Sequence, residues 1–181
     1  MKQLIMRWVN DGAEAEFTLP EGVELLTLSK IEDGVRVWAD IVRHMEKEGV
    51  TEYPEGYMRF YESVMQNEEN YREELCFFLS VRGTPAATFT VICNEESGEG
   101  YVHMVALKPE FRGMGLGNLM SRIAVAVLKK EGMTSAYLTT DDWRIPAIKT
   151  YLKAGFVPDL TTEEDFPSRW ERILSVINES K

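Results

Sequence analysis

The sequence predicts an α/β (α+β) fold in which an antiparallel meander is followed by a parallel β-α-β unit, giving one mixed sheet with helices on both faces. Two observations carry this. Residues 75–82 (LCFFLSVR), 86–94 (AATFTVICN) and 101–107 (YVHMVAL) are successive apolar runs joined by Gly83-Thr84-Pro85 and by the polar stretch 95–100. Connections that short permit only hairpins. Beyond them the rhythm alternates between an amphipathic helix over 116–130, a strand over 135–140 and a short helix over 146–154. Strand–helix–strand at this spacing requires a parallel pair with a right-handed crossover.

The remaining elements follow from local patterns. Residues 3–9 and 23–28 read as short strands separated by the turn material Asn10-Asp11-Gly12. Val35, Trp38, Ile41, Val42 and Met45 recur at helical spacing, predicting a helix over 35–47 that stops at Gly49. Met58, Tyr61, Val64 and Met65 share a stripe over 56–66, and 68–74 form a third short turn. In the long helix Leu116, Leu119, Met120, Ile123, Val127 and Leu128 form the apolar face, Lys129 and Lys130 suit the negative end of its dipole, and Gly132 ends it. A last amphipathic helix spans 166–178 with Trp170, Ile173, Leu174 and Ile177.

At 181 residues the chain suits one domain, residues 1–181, with no repeat or linker to divide it. Its expected parts are N-terminal strands and helices (1–74), a core (75–156) and a helical tail (157–181). No apolar stretch approaches the roughly 20 residues that cross a bilayer, and residues 1–10 read as an opening strand, not a leader. Cys76 and Cys93 are too few for a disulfide framework, and His44 and His103 make no metal cluster, so a reduced, cytoplasmic protein without metal is expected. The net charge of −10 argues against nucleic acid as a partner. That charge is uneven: residues 1–100 carry 20 acidic and 9 basic side chains, residues 101–181 carry 10 and 11. An anionic ligand therefore sits better on the second half.

The strand ending at Leu107 leads through Lys108-Pro109-Glu110-Phe111 into Arg112-Gly113-Met114-Gly115-Leu116-Gly117, and a helix starts at once. Glycines at alternate positions admit positive φ and remove each Cβ that would keep a ligand off the backbone. The first helical turn offers unpaired N–H donors and the positive end of a dipole, so the loop is a cradle for phosphate or pyrophosphate. No Gly-x-x-x-x-Gly-Lys-Ser/Thr string occurs, and Asn118 stands where a dinucleotide fingerprint needs glycine.

These residues resemble the GNAT superfamily of acetyl-CoA-dependent N-acetyltransferases, whose Arg/Gln-x-x-Gly-x-Gly/Ala signature is matched by Arg112, Gly115 and Gly117. A second block, residues 147–156 (AIKTYLKAGF), is similar to the family's Ala-x-x-x-Tyr-x-Lys-x-Gly-Phe segment. The resemblance implies acetyl-CoA as co-substrate, an amine as acceptor, no metal, and by family habit a homodimer. It implies that backbone groups of Val105 and Leu107 pair with the pantetheine arm. Gly113, Met114, Gly115, Leu116, Gly117 and Asn118 would hold the pyrophosphate through their amides, with Arg112 and Lys108 supplying positive field. Tyr151 matches the family tyrosine that protonates the departing thiolate. His103, which by alternation shares a face with Tyr101 and Val105, is a candidate general base of suitable pKa, and glutamates of the helical segment are the alternative, acting directly or through water. Met alone, a helical tyrosine or a strand histidine is more often there for plain packing.

Two departures stand out. Arg144 occupies the place where many relatives carry an asparagine that shapes the turn, and an arginine there is long enough to reach a phosphate. The family generally closes its sheet with a strand pair, whereas the tail here reads as helix. From Glu46 to Glu74 nine glutamates interleave with Tyr53, Tyr57, Phe60, Tyr61 and Tyr71, a composition suited to a cationic amine or to an ordinary acidic helix face. An acyl-CoA-binding module without turnover, or a nucleotide-binding loop, would share the glycine motif.

Overall fold

The computed structural model describes residues 2–45, 52–53 and 56–179. Among these residues seven strands form one sheet: β1 (Leu4–Val9), β2 (Val23–Thr27), β3 (Cys76–Val81), β4 (Thr84–Asn94), β5 (Glu99–Leu107), β6 (Ser135–Thr140) and β7 (Val157–Pro158), in the order β2-β3-β4-β5-β6-β1-β7. All neighbours are antiparallel except β5 and β6, the parallel pair joined by the crossover. The helices are α1 (Gly34–Val42), α2 (Tyr57–Tyr61, continued by a π-helical turn Glu62–Gln66), α3 (Leu116–Lys130), α4 (Ile145–Lys153) and α5 (Phe166–Glu179). No described helix is long and apolar enough to cross a membrane.

Two cores sandwich the sheet. On one face α3, α4 and α5 pack on Leu4, Met6, Leu79, Phe89, Val91 and Leu138. On the other, α1 and α2 build an aromatic layer in which the Trp38 ring meets Tyr61 edge-on at 5.1 Å and Phe60 at 5.7 Å. Aromatic pairs of this kind add roughly 0.5–1.5 kcal/mol beyond the area they bury. In α3 the buried side chains Leu116, Leu119, Met120, Ile123, Ala124 and Leu128 fall on one stripe as the pattern requires.

Three features differ from the sequence reading. The helix expected over 35–47 ends at Val42, with residues 46 and 47 outside the described ones. The turn expected over 68–74 is a 3-10 turn at Glu73–Leu75. The sheet closes in an unforeseen way: β1 inserts between β6 and β7, with Leu4 opposite Thr140, Arg7 opposite Tyr137 and again opposite Val157. The first strand of the chain thus supplies the closing position, and the tail is free to be the helix its pattern predicts. Arg7 Nε donates to the buried Asp159 at 2.5 Å, and Asp159 accepts the Thr161 and Thr162 amides, so the turn after β7 is locked to β1.

Candidate active site

The parallel contact between β5 and β6 is short. It runs from Glu99 opposite Ser135 to Val102 opposite Leu138 and stops there. The cause lies on the other edge of β5. Thr90 faces His103 but Thr88 faces Ala106, so β5 carries one extra residue, and Met104 takes a left-handed φ of 49°. This β-bulge bends β5 away from β6. It also reverses the alternation downstream: Val105 packs with the α3-side core, Met104 and Ala106 with the α1/α2-side core. The expectation that Val105 shares a face with Tyr101 and His103 is therefore corrected; an inserted residue breaks the period of two.

Beyond the bulge one edge of β5 has no strand against it among the described residues. The Lys108 amide donates to the Ala86 carbonyl of β4 at 2.9 Å. Because backbone groups alternate along a strand, those of Ala106 also turn toward β4, and those of Val105 and Leu107 turn to the open edge.

At the end of that edge lies the glycine loop. Gly113 and Gly115 have φ of 81° and 79°, and a Cβ added at either would meet nothing within 4 Å, so the loop surface is open. Gly117 serves differently. It lies within α3 with no positive φ, and a Cβ there would come 3.2 Å from Thr150 on α4, so its role is close helix packing. Gly115 caps α3 without a side-chain bond to the first-turn amides. Asn118 Oδ1 is buried without a partner among the described residues, an orphaned acceptor beside the cradle. Arg112 and Met114 are exposed, while the Leu116 side chain anchors the loop in the core. Lys108 does not supply the free charge expected of it, being ion-paired to Asp40 of α1 at 2.6 Å. An open, amide-rich loop beside an arginine with no ion-pair partner among the described residues fits a pyrophosphate.

The notch between β5 and β6 opens a cavity of about 250 Å³. Tyr151 reaches it from α4, His103 and Val105 from β5, Thr139 from β6, Met45 and Phe60 from the opposite face, and Gln3 and Arg144 from its rim. The two candidate catalytic side chains are thus brought to one cavity, and the open edge of β5 runs from it toward the glycine loop. Tyr151 is 6% exposed, its hydroxyl has no partner among the described residues, and burial pushes its pKa up to about 12 against the pull of Arg144. His103 Nε2 lies 2.7 Å from the Val64 carbonyl in the π turn; it must donate there, leaving the lone pair on Nδ1. Tyr101 lies beside His103 and stacks on Tyr137 at 4.5 Å. Gln3, Thr139 and Tyr101 were not foreseen as site residues, since nothing in a strand pattern marks which members flank a notch.

Burial lowers the His103 pKa below its ordinary 6.5, the Val64 bond and Glu68 opposing. The unfolded chain then binds a proton that the folded one refuses, so this residue costs stability as pH falls through the ordinary imidazole range. Between pH 7.5 and 5 we expect the melting temperature of the native protein to fall more than that of His103→Asn.

The Acetyltransferase (GNAT) family model matches residues 38–156, and the chain belongs to that family. Its relatives include the mycothiol acetyltransferases of Streptomyces bingchenggensis (32% identical, over 86% of this chain and 49% of the relative) and Streptomyces scabiei (30%, 91% and 52%). The chain spans about half the length of these curated relatives. Among solved structures, a GCN5-related N-acetyltransferase from Sphaerobacter thermophilus superposes with a TM-score of 0.68 at 18% identity, over 88% of this chain and 50% of that one. The ribosomal-protein-S18-alanine N-acetyltransferase from Escherichia coli gives 0.57 at 19%, over 75% and 77%. The seven-stranded mixed sheet is the GNAT fold.

Proposed function

We propose that the chain transfers an acetyl group from acetyl-CoA to a primary amine by direct attack. The observation that carries this is the continuity of three features: an open anion cradle at Gly113–Gly115, an unpaired β5 edge at Val105 and Leu107, and a cavity lined by Tyr151. Acetyl-CoA supplies an activated acyl thioester. The amides from Gly113 to Asn118 and the Arg112 guanidinium hold its pyrophosphate, and Val105 and Leu107 align its arm as an added strand. Tyr151, kept protonated by burial, is the acid for the departing sulfur. His103 is held neutral and able to accept a proton, but the burial that keeps it so also makes it a weak base. Replacing it should cost activity far less than replacing Tyr151.

The test is thermal unfolding with acetyl-CoA, CoA, NAD and ATP. A ligand at 100 times its Kd adds about 2.7 kcal/mol, roughly 5–10 °C for a chain of this size. Stabilisation should come from the CoA species alone. It should vanish in Gly115→Trp, and weaken in Arg112→Glu, whose exposed site leaves folding untouched. Binding without turnover of any amine would favour a silent acyl-CoA module, and no response to either CoA species would remove the acyltransferase reading.

A further inference from the structure

We infer that Arg144 selects the acceptor, and that the cavity takes a small amine carrying a carboxylate, as in a free amino acid or short peptide. This rests on the acyltransferase reading above. Among the described residues lining the cavity, Arg144 is the only one that is permanently charged; the others are Gln3, Thr139, His103, two tyrosines and apolar side chains. The described glutamates that recommend a cationic acceptor, Glu52, Glu62, Glu68, Glu69, Glu73 and Glu74, are all exposed and none lines the cavity. A cationic ligand would meet the Arg144 guanidinium in the lining, with Asp141 already paired to it and Glu68 acting on His103 and Tyr101 from outside the cavity.

The guanidinium is held and only partly used. One terminal nitrogen, NH2, donates to the Met45 carbonyl at 3.2 Å and lies 3.1 Å from Asp141, while the group sits 4.9 Å over the Trp143 ring. Asp141 is in turn held by the Gln3 amide at 3.3 Å. The donors on Nε and the second terminal nitrogen have no partner among the described residues. With the side chain 18% exposed, they are the polar capacity left for a ligand. Anchoring at one nitrogen removes most of the rotamer entropy that a flexible arginine would lose on binding. Anionic acceptors satisfy such donors; neutral amides satisfy them less well. The cavity, at about 250 Å³ and shared with the acyl thioester beside Tyr151, restricts the acceptor to a small molecule.

The experiment measures CoA thiol release at saturating acetyl-CoA with amino acids and dipeptides, each beside its C-terminal amide. A charge-assisted hydrogen bond predicts kcat/KM roughly ten- to a hundredfold higher for the free carboxylate. Arg144→Gln should bring that ratio near one, mainly through KM, and Arg144→Lys should restore part of it. Acetyl-CoA-induced stabilisation of both variants shows that they are folded and that the cofactor site is intact. If acetyl-CoA stabilises the protein but the amides are turned over as well, or no free carboxylate is turned over, the inference fails while the acyltransferase reading stands. If acetyl-CoA does not bind, both fail. A ratio unchanged in Arg144→Gln gives the arginine a purely structural role and also overturns the inference.

Discussion

Tyr151→Phe is expected to lower kcat about a hundredfold or more while leaving acetyl-CoA affinity unchanged. The substitution removes one oxygen from a side chain that is 6% exposed and keeps the ring contact with Phe156, centroids 6.3 Å apart, so packing is conserved. What is lost is a proton donor, and positioned proton transfer is worth about 10²–10⁴ in rate. The pH profile sharpens the test. An acid works only while protonated, and a pKa raised to about 12 keeps Tyr151 protonated throughout the range in which the protein is handled. The native kcat should therefore show no descending limb near pH 10. A limb at that pH, or a Tyr151→Phe enzyme within a fewfold of native, would assign the proton to another group.

The second large effect is on stability. Trp170→Ala should destabilise the fold by about 3–5 kcal/mol, the usual cost of truncating a buried aromatic, and lower the melting temperature by roughly 10 °C. Trp170 is 1% exposed, and with Phe166, Ile173 and Ile177 it packs α5 into the core that holds Leu4, Met6 and Leu138. Arg169, 3% exposed, fastens the same helix to Asp142, with Nε at 3.1 Å. Trp170→Phe separates packing from hydrogen bonding. The indole N–H is buried without a partner among the described residues, so replacing it with phenyl removes an unsatisfied donor and should cost about 1 kcal/mol or less. Equal losses in both variants would mean that the indole nitrogen has a partner worth keeping.

Elements bounded by strong punctuation were fully legible in the sequence. The start and end of α3 fall where Gly115 and the Lys129-Lys130-Gly132 stretch put them, and β6 has its expected limits. The left-handed Gly113 and Gly115 ahead of α3 were legible too, because they follow from residue type. What depends on sheet neighbours was not. LIMRWV reads as a strand, but nothing in it says that Ile5 lies beside Thr139. A two-residue β7 has no periodicity to detect. The bulge at Met104 hides because a methionine carries no left-handed preference, unlike glycine or asparagine. Lys108 and Arg144 were recognisable as cations, but their partners, Asp40 and the Met45 carbonyl, come from α1 and the turn after it, far off in sequence.

The insertion of β1 between β6 and β7 has a kinetic consequence. Leu4 emerges well before its partner Thr140, with β2 to β5 and α3 in between. Closing so long a loop is slow, whereas β3, β4 and β5 pair through short hairpins. The meander and α3 can therefore assemble while the opening strand waits, and for that interval β6 shows a bare edge able to recruit a strand from another molecule. Dilution during refolding should raise the yield of this protein more than a stronger denaturant pulse would. The last ladder to form is the one with the longest loop to close.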